Sequence, residues 1–99
     1  MTFQTVWSTR SRNELDAAWQ WYENKLHGLG DRFVEEVLTR IRTIEKEPLK
    51  AIQRKPPFRE SMVKVFPYLI IYRIDNRNNV IFIQSVFHTK RNPRRKYTP

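Results

Sequence analysis

The residues able to do chemistry on another molecule are few here, and most are cations. Nineteen Lys and Arg against ten Asp and Glu leave a net charge of +9 on 99 residues. Such an excess favours polyanionic partners: nucleic acid, a ribosome, or an acidic protein segment. There is no cysteine, which rules out disulfides, thiolate metal sites and thiol nucleophiles together. The two histidines, His27 and His88, lie far apart with no third beside them, so neither a metal site nor a cofactor is expected. His88 is the natural acid or base, since its reference pKa near ~6.5 lies close to working pH. The groups that could join it at a phosphate are Arg59, Glu60, Lys64, Arg73, Arg91 and Tyr97. Among them Arg59, Lys64 and Arg73 would neutralise charge. A wider set of cations suits contact with a nucleic acid or another target: Lys50, Arg54, Lys55, Lys64, Lys90, Arg94, Arg95 and Lys96.

These residues must be positioned by the stretch Phe58–His88. It holds three runs rich in Val, Ile, Phe and Tyr, separated by Pro67 and by the polar cluster Asp75–Asn79. Apolar runs of this length and type, bounded by turn residues, read as three antiparallel strands. The middle run, Tyr68–Tyr72, is apolar on both alternating faces, which suits a central strand with helices on one side and a groove or a partner on the other. Alternation places Arg73 with Leu69 and Ile71.

Upstream, Thr2–Trp7 alternates as a short strand with one better-buried face. Ser11 and Glu14 fit an S-x-x-E capping box, opening a helix with the stripe Leu15, Ala18, Trp19, Tyr22 and Leu26. Trp21 falls off that stripe, as helix flank or partner contact. Gly28-Leu29-Gly30 stops the helix, and Asp31 is placed to cap a second one. Its apolar positions are Phe33, Val37, Ile41 and Ile44, with Val34 and Leu38 alongside, and Pro48 ends it. So short a turn predicts an antiparallel helix hairpin packed on the sheet. Leu49–Pro57 reads as a basic connector, and residues 89–99 as a basic C-terminal tail or partly ordered cap. The expected fold is therefore α+β: a strand, a two-helix hairpin, then a three-stranded antiparallel meander. One domain spans residues 1–99, without internal repeats. No apolar run approaches the ~18 residues of a membrane span, and the N-terminus lacks a signal-peptide core, so a soluble cytoplasmic protein is expected.

This order, carried by AAWQWYENK, GLGDRFVEEV, Arg59, FPYLIIYRI and the H-x-x-R-x-P of VFHTKRNP, resembles the RelE/ParE superfamily of toxins from type II toxin–antitoxin pairs. The similarity runs over nearly the whole chain. It implies a toxin held inactive by a cognate antitoxin, whose acidic segment wraps it and whose other domain binds operator DNA. RelE-like members cut messenger RNA in the ribosomal A site; ParE-like members poison DNA gyrase.

Cutting RNA through its own 2′-hydroxyl needs a base, an acid and cations around the phosphorane. For a nuclease the resemblance points to His88, Arg59, Arg73, Arg91 and Tyr97. Nuclease members usually carry an arginine in the middle strand, near the position of Tyr68 or Leu69; here no charge occurs until Arg73. The FPY-x-I-x-Y form is closer to ParE and its "plasmid stabilisation" relatives. Gyrase is therefore the favoured target. The alternatives are a ribosome-dependent endoribonuclease and a non-toxic binding module of the same fold.

Overall fold

Alternation and helical spacing translate into five strands and two helices in the computed structural model, which describes residues 3–98. The elements are β1 (Gln4–Trp7), α1 (Thr9–Lys25), α2 (Leu29–Lys46), β2 (Ile52–Lys55), β3 (Phe58–Met62), β4 (Tyr68–Asp75) and β5 (Val80–His88), then a 3-10 turn at Pro93–Arg95. The sheet order is β1-β5-β4-β3-β2. β1 runs parallel to β5, and every other pair is antiparallel. The α+β order and the meander expected from the sequence are both present. Thr2, placed in the first strand on sequence grounds, lies outside the described residues, as does Pro99 at the end of the tail.

The stretch Leu49–Pro57 is more than a connector. Its middle forms β2, an exposed edge strand that pairs with β3 across the Pro56-Pro57 turn. Pro67 lies between β3 and β4, where a missing N–H costs no ladder bond. The β4–β5 turn is held by Asp75, whose carboxylate accepts from the Arg77 and Asn78 N–H groups and from the Asn78 amide. Those bonds hold the Asp75 carboxyl below its ordinary pKa, the Asn78 side-chain bond most of all. Asn79 takes the positive φ, 54°, that asparagine tolerates.

The helix layer buries its predicted stripe. Phe33, Val37, Ile41 and Ile44 of α2 and Ala18 of α1 pack on Ile70, Tyr72, Ile81, Ile83 and Val86 of the sheet. Full burial of each large apolar side chain contributes about 1.5–3 kcal/mol, so this face carries most of the stability. Two members of the α1 stripe depart from it. Leu26 lies just past the helix end and is exposed, and Trp19 sits at the rim, donating from Nε1 to Asp31 Oδ1 at 2.8 Å.

Both helix starts differ from the sequence expectation. Ser8, not Ser11, caps α1: its Oγ accepts from the Ser11 N–H at 2.9 Å. Ser11 is buried within the first turn, and Glu14 does not close a capping box. α2 begins at Leu29, so Asp31 lies inside its first turn. The free N–H groups at that start are taken by Glu23 of α1, whose carboxylate accepts from Gly28 N at 2.9 Å and Gly30 N at 3.0 Å. A carboxylate suits this place because it meets the positive end of the helix dipole.

Gly30 allows that hairpin to close. A Cβ there would lie 2.6 Å from the Trp19 carbonyl oxygen and 2.9 Å from Glu23 Oε1. Gly28 is needed for a different reason, its φ of 89°, and has open space around it. Gly30→Ala is expected to cost about 1–3 kcal/mol in urea unfolding, as overpacking does, and more than Gly28→Ala at about 1 kcal/mol. The reverse order would reject the close helix approach.

Candidate functional site

β1 pairs with β5 only as far as Trp7 and Ile83. Beyond that point the β5 edge needs another partner, and Glu14 supplies it. Its Oε1 accepts from the Val86 N–H at 3.0 Å and from Ser85 Oγ at 2.7 Å. Its Oε2 accepts from Arg10 Nε at 3.1 Å and Arg91 Nη1 at 2.7 Å. One carboxylate thus joins α1, the outer edge of β5 and the segment after it. Each oxygen takes two donors, the number a carboxylate needs when it leaves water.

Beside Glu14 a groove of about 610 Å³ opens between α1 and the ends of β4 and β5. Its walls are mostly apolar: Ala17, Ala18, Trp21, Tyr22, Tyr68 and Val86, with His88 and Arg91 at the rim. Trp21, which fell off the buried stripe, is 58% exposed. It stands edge-on to Tyr22 at 5.1 Å between centroids, with Lys25 Nζ 4.8 Å from its ring centre. Burial pushes the Tyr68 phenol up to about 12 and raises that of Tyr22. Both aromatics therefore present neutral hydroxyls near pH 7.

The opposite face of the sheet is built around Glu60. The pairing of Glu60 with Ile71 puts it on the face away from the helices, and its carboxylate side chain is only 4% exposed. It accepts from Tyr97 Oη and from Lys96 Nζ at 3.1 Å, with Arg54 Nε 3.7 Å away. The Tyr97 ring packs on Phe58 at 5.2 Å, and Lys55 lies over it. Gln84 Nε2 and Arg10 donate to the Thr98 carbonyl. Residues 89–98 thus return as a cap over this face, where Ile71 and Phe87 are fully buried.

The residues singled out for chemistry fall in separate places. His88, at the end of β5, pairs with Tyr68, and their rings lie 4.9 Å apart. Its Nδ1 accepts from the Lys90 N–H at 3.0 Å, so the neutral ring carries its proton on Nε2. Arg91 is near it, bound to Glu14 and over the Phe87 ring. Arg59 shares the helix-side face but donates to the Ala51 and Leu49 carbonyls at 2.8 and 3.2 Å. Arg73 lies over Phe82, five residues along β4 from the His88 partner, roughly 16 Å at strand spacing. Tyr97 and Glu60 are together on the far face.

Of the remaining cations, Arg54, Lys55 and Lys96 gather around Glu60 and Tyr97. Arg94 and Arg95 sit exposed on the 3-10 turn and Lys90 just before it. Lys50 lies 3.8 Å from Glu47, and Lys64 occupies the β3–β4 turn, both apart from the others. The residues that the sequence reading missed are Glu14 and Arg10 as a hub, and Ala17 as groove wall. The spacing of Arg10 and Glu14 by one helical turn was the available signal; their partners on β5 had none. Among the described residues no group of three or more His, Asp or Glu could hold a metal ion, and no helix is long and apolar enough to cross a membrane.

Comparison with known proteins adds three findings. The family model for the ParE toxin of the type II toxin–antitoxin system, parDE, matches residues 5–93. No curated protein matches the chain in sequence. Among solved structures the chain is similar to the chromosomal ParDE system of P. aeruginosa, at 13% identity and TM-score 0.77, covering 90% of this chain and 98% of that one. It is also similar to the RelBE2 toxin–antitoxin complex of Mycobacterium tuberculosis, at 22% identity and TM-score 0.61 over 89% and 99% of the two chains. A mutant of the E. coli toxin RelE in the free state aligns at 14% identity and TM-score 0.61, over 91% and 86%. At these identities the likeness is one of fold.

Glu14→Ala leaves two guanidinium groups and a strand N–H without their acceptor. It is expected to lower stability by about 2–3 kcal/mol in urea unfolding; a loss within about 0.5 kcal/mol would place Glu14 among ordinary surface residues. Tyr97 generates a pH prediction. Burial first, then the bond to Glu60, pushes its phenol up to about 12 from an ordinary 10.0, against Arg54. The folded chain therefore holds this proton more tightly than the unfolded one. The resulting stabilisation is complete below pH 10 and is lost as pH rises through about 12. Tyr97→Phe is expected to fall less steeply over that window, the rest of the slope coming from Tyr68 and Tyr72, both also pushed up to about 12. Equal slopes would reject the Tyr97–Glu60 bond.

Proposed function

The chain belongs to the ParE toxin family of type II toxin–antitoxin systems, and from that premise we propose that it arrests growth by binding DNA gyrase and is silenced by a cognate antitoxin. The observation that carries the gyrase reading is the dispersal of the groups a nuclease would need. His88, Arg59, Arg73 and Tyr97 each have an internal partner on a different part of the sheet. The apolar Tyr68–Tyr72 run, with no arginine before Arg73, supports the same reading. A toxin that acts by docking needs a shaped surface rather than a proton relay, and the groove beside Trp21 is such a surface.

A second reading, a ribosome-dependent endoribonuclease, rests on one pairing. His88 and Arg91 share the rim of the groove, where an acid–base group and a cation could meet one phosphate. The partner in either case is an antitoxin with an acidic segment, complementary to the net charge of +9. Its gene is expected as a small acidic reading frame adjoining this one, whose co-expression relieves the growth arrest.

Two assays separate the targets. Purified protein added to a gyrase supercoiling reaction is expected to block supercoiling and accumulate cleaved DNA, and to leave translated mRNA uncut. Unaffected gyrase, together with codon-register cuts on translated mRNA that vanish in His88→Ala, would move the assignment to the ribosome.

A further inference from the structure

Glu36, Arg40 and Thr43 lie three or four residues apart and so share one flank of α2, the flank turned toward β3. With Thr39 of the same helix and Lys64 of the β3–β4 turn they line a recess of about 320 Å³. A second recess, of about 260 Å³, shares Arg40 and Thr43 and reaches Ser61 of β3. Neither has a residue in common with the groove beside Trp21. Four arginines of the chain are half-buried: Arg10, Arg40, Arg59 and Arg73. Arg10 and Arg59 are held by oxygens, and Arg73 lies over a ring. Arg40 has no side-chain partner among the described residues, and its Nε is buried. Glu36 stands one turn before it, at the spacing of a helical ion pair, yet the two form none. A shielded guanidinium N–H without an acceptor is destabilising, so Arg40 calls for an acceptor that the chain does not supply. The turn that brings Lys64 to the recess is strained. Val65, next to it, holds φ at 73°, a left-handed conformation costly for a β-branched residue, and is 70% exposed. Packing of its own side chain does not offset that cost. What the conformation sets is the course of the turn that carries Lys64, and strain of this kind gathers at binding sites.

We propose that Arg40 and Lys64 form a binding site for one phosphate group, with the hydroxyl of Thr39 as a third donor. Thr39 Oγ1 accepts from Arg42 Nη2 at 3.1 Å, which leaves its own proton for an anion. The Thr43 hydroxyl is already committed to the Thr39 carbonyl. An arginine fork, an ammonium and a hydroxyl arriving from two elements suit the several oxygens of a tetrahedral anion. A carboxylate is satisfied by one fork alone. Glu36, in the same wall, opposes a second anion, so the site takes a single phosphate rather than a run of them. That phosphate is either free, inorganic or on a mononucleotide, or one group of a nucleic-acid backbone. The site lies apart from the groove and depends on neither the gyrase nor the antitoxin reading.

Nitrogen-15 NMR of the full chain reads the site residue by residue while inorganic phosphate replaces chloride at constant pH and ionic strength. Shifts confined to the amides of residues 36–43 and 64–65 are expected. Arg40→Met, which removes the unpaired group and keeps most of its length, and Lys64→Ala are each expected to weaken phosphate binding about tenfold. Lys64 is exposed, so its variant reads binding without a change of fold. Arg77→Gln, at an exposed arginine of the β4–β5 turn, leaves binding unchanged. Phosphate is expected to raise the melting temperature of the parent and not of Arg40→Met. A short fluorescent DNA duplex then separates the sources: duplex affinity lost in both variants assigns the site to a backbone phosphate, and unchanged affinity assigns it to free phosphate. The absence of local shifts in the parent, or affinities of both variants within about twofold of it, overturns the proposal. Equal shifts from acetate overturn it too, by giving the recess to a carboxylate.

Discussion

The architecture hangs on a carboxylate that the helix layer lends to the sheet. β1 is four residues long and β5 is nine, so the outer edge of β5 runs past its parallel partner. Unpaired strand edges attract other chains or must be covered. Ser8 begins the cover, donating its N–H to the Ile83 carbonyl and its Oγ to that of Gln84. Glu14 continues it by taking the Val86 N–H. Because the same side chain also holds Arg10 and Arg91, the orientation of α1 and the exit path of the chain after β5 are fixed together. A carboxylate shielded to this degree is stable only while its donors are present, which makes the arrangement all or none.

Glu60 repeats the device on the other face. Two shielded carboxylates thus organise much of a strongly basic chain: Arg10 and Arg91 fold onto one, Arg54, Lys96 and the Tyr97 hydroxyl onto the other. The net charge of +9 therefore does not say which cations face outward. Several of its cations are internal ties, and Arg59 is another, spent on two carbonyls. Exposed cations without such a tie stand near the 3-10 turn, at Lys90, Arg94 and Arg95, and also apart from it, at Arg12, Arg32, Lys46, Lys64 and Arg77. A census of basic residues in the sequence could not separate these outward cations from the internal ties.

The sequence was most legible where burial has a period. Phe33, Val37, Ile41 and Ile44 announce the core face of α2, and Tyr68–Tyr72 announces a strand covered on both sides. Turn chemistry was legible as well, in Pro67, Gly28 and the Asp75–Asn79 cluster. What could not be read were contacts set by tertiary distance. Ser11-x-x-Glu14 satisfies the capping pattern, yet Ser8 is a better cap because its carbonyl and hydroxyl serve the helix and β5 at once. Asp31 looks like a cap, but Glu23 reaches that helix start from the neighbouring helix. β2 has no apolar alternation to announce it, being an exposed edge held only by β3. Nor does a local signal bring residues 89–98 back over Ile71, because the attraction lies in Glu60, some thirty-seven positions from Tyr97.

The same distribution bears on how a small toxin can be both harmful and restrainable. The docking surface proposed above is an apolar trough on a chain otherwise rich in charge. A segment bound there lies against Glu14 and Arg91, the contacts that also hold the start of the C-terminal cap. Any partner that prefers the capped arrangement stabilises it by its own binding free energy, and one that competes for Arg91 loosens it by the same currency. Groove and cap meet at Glu14, which holds Arg91 at 2.7 Å and also Arg10, itself bound to Thr98 of the cap.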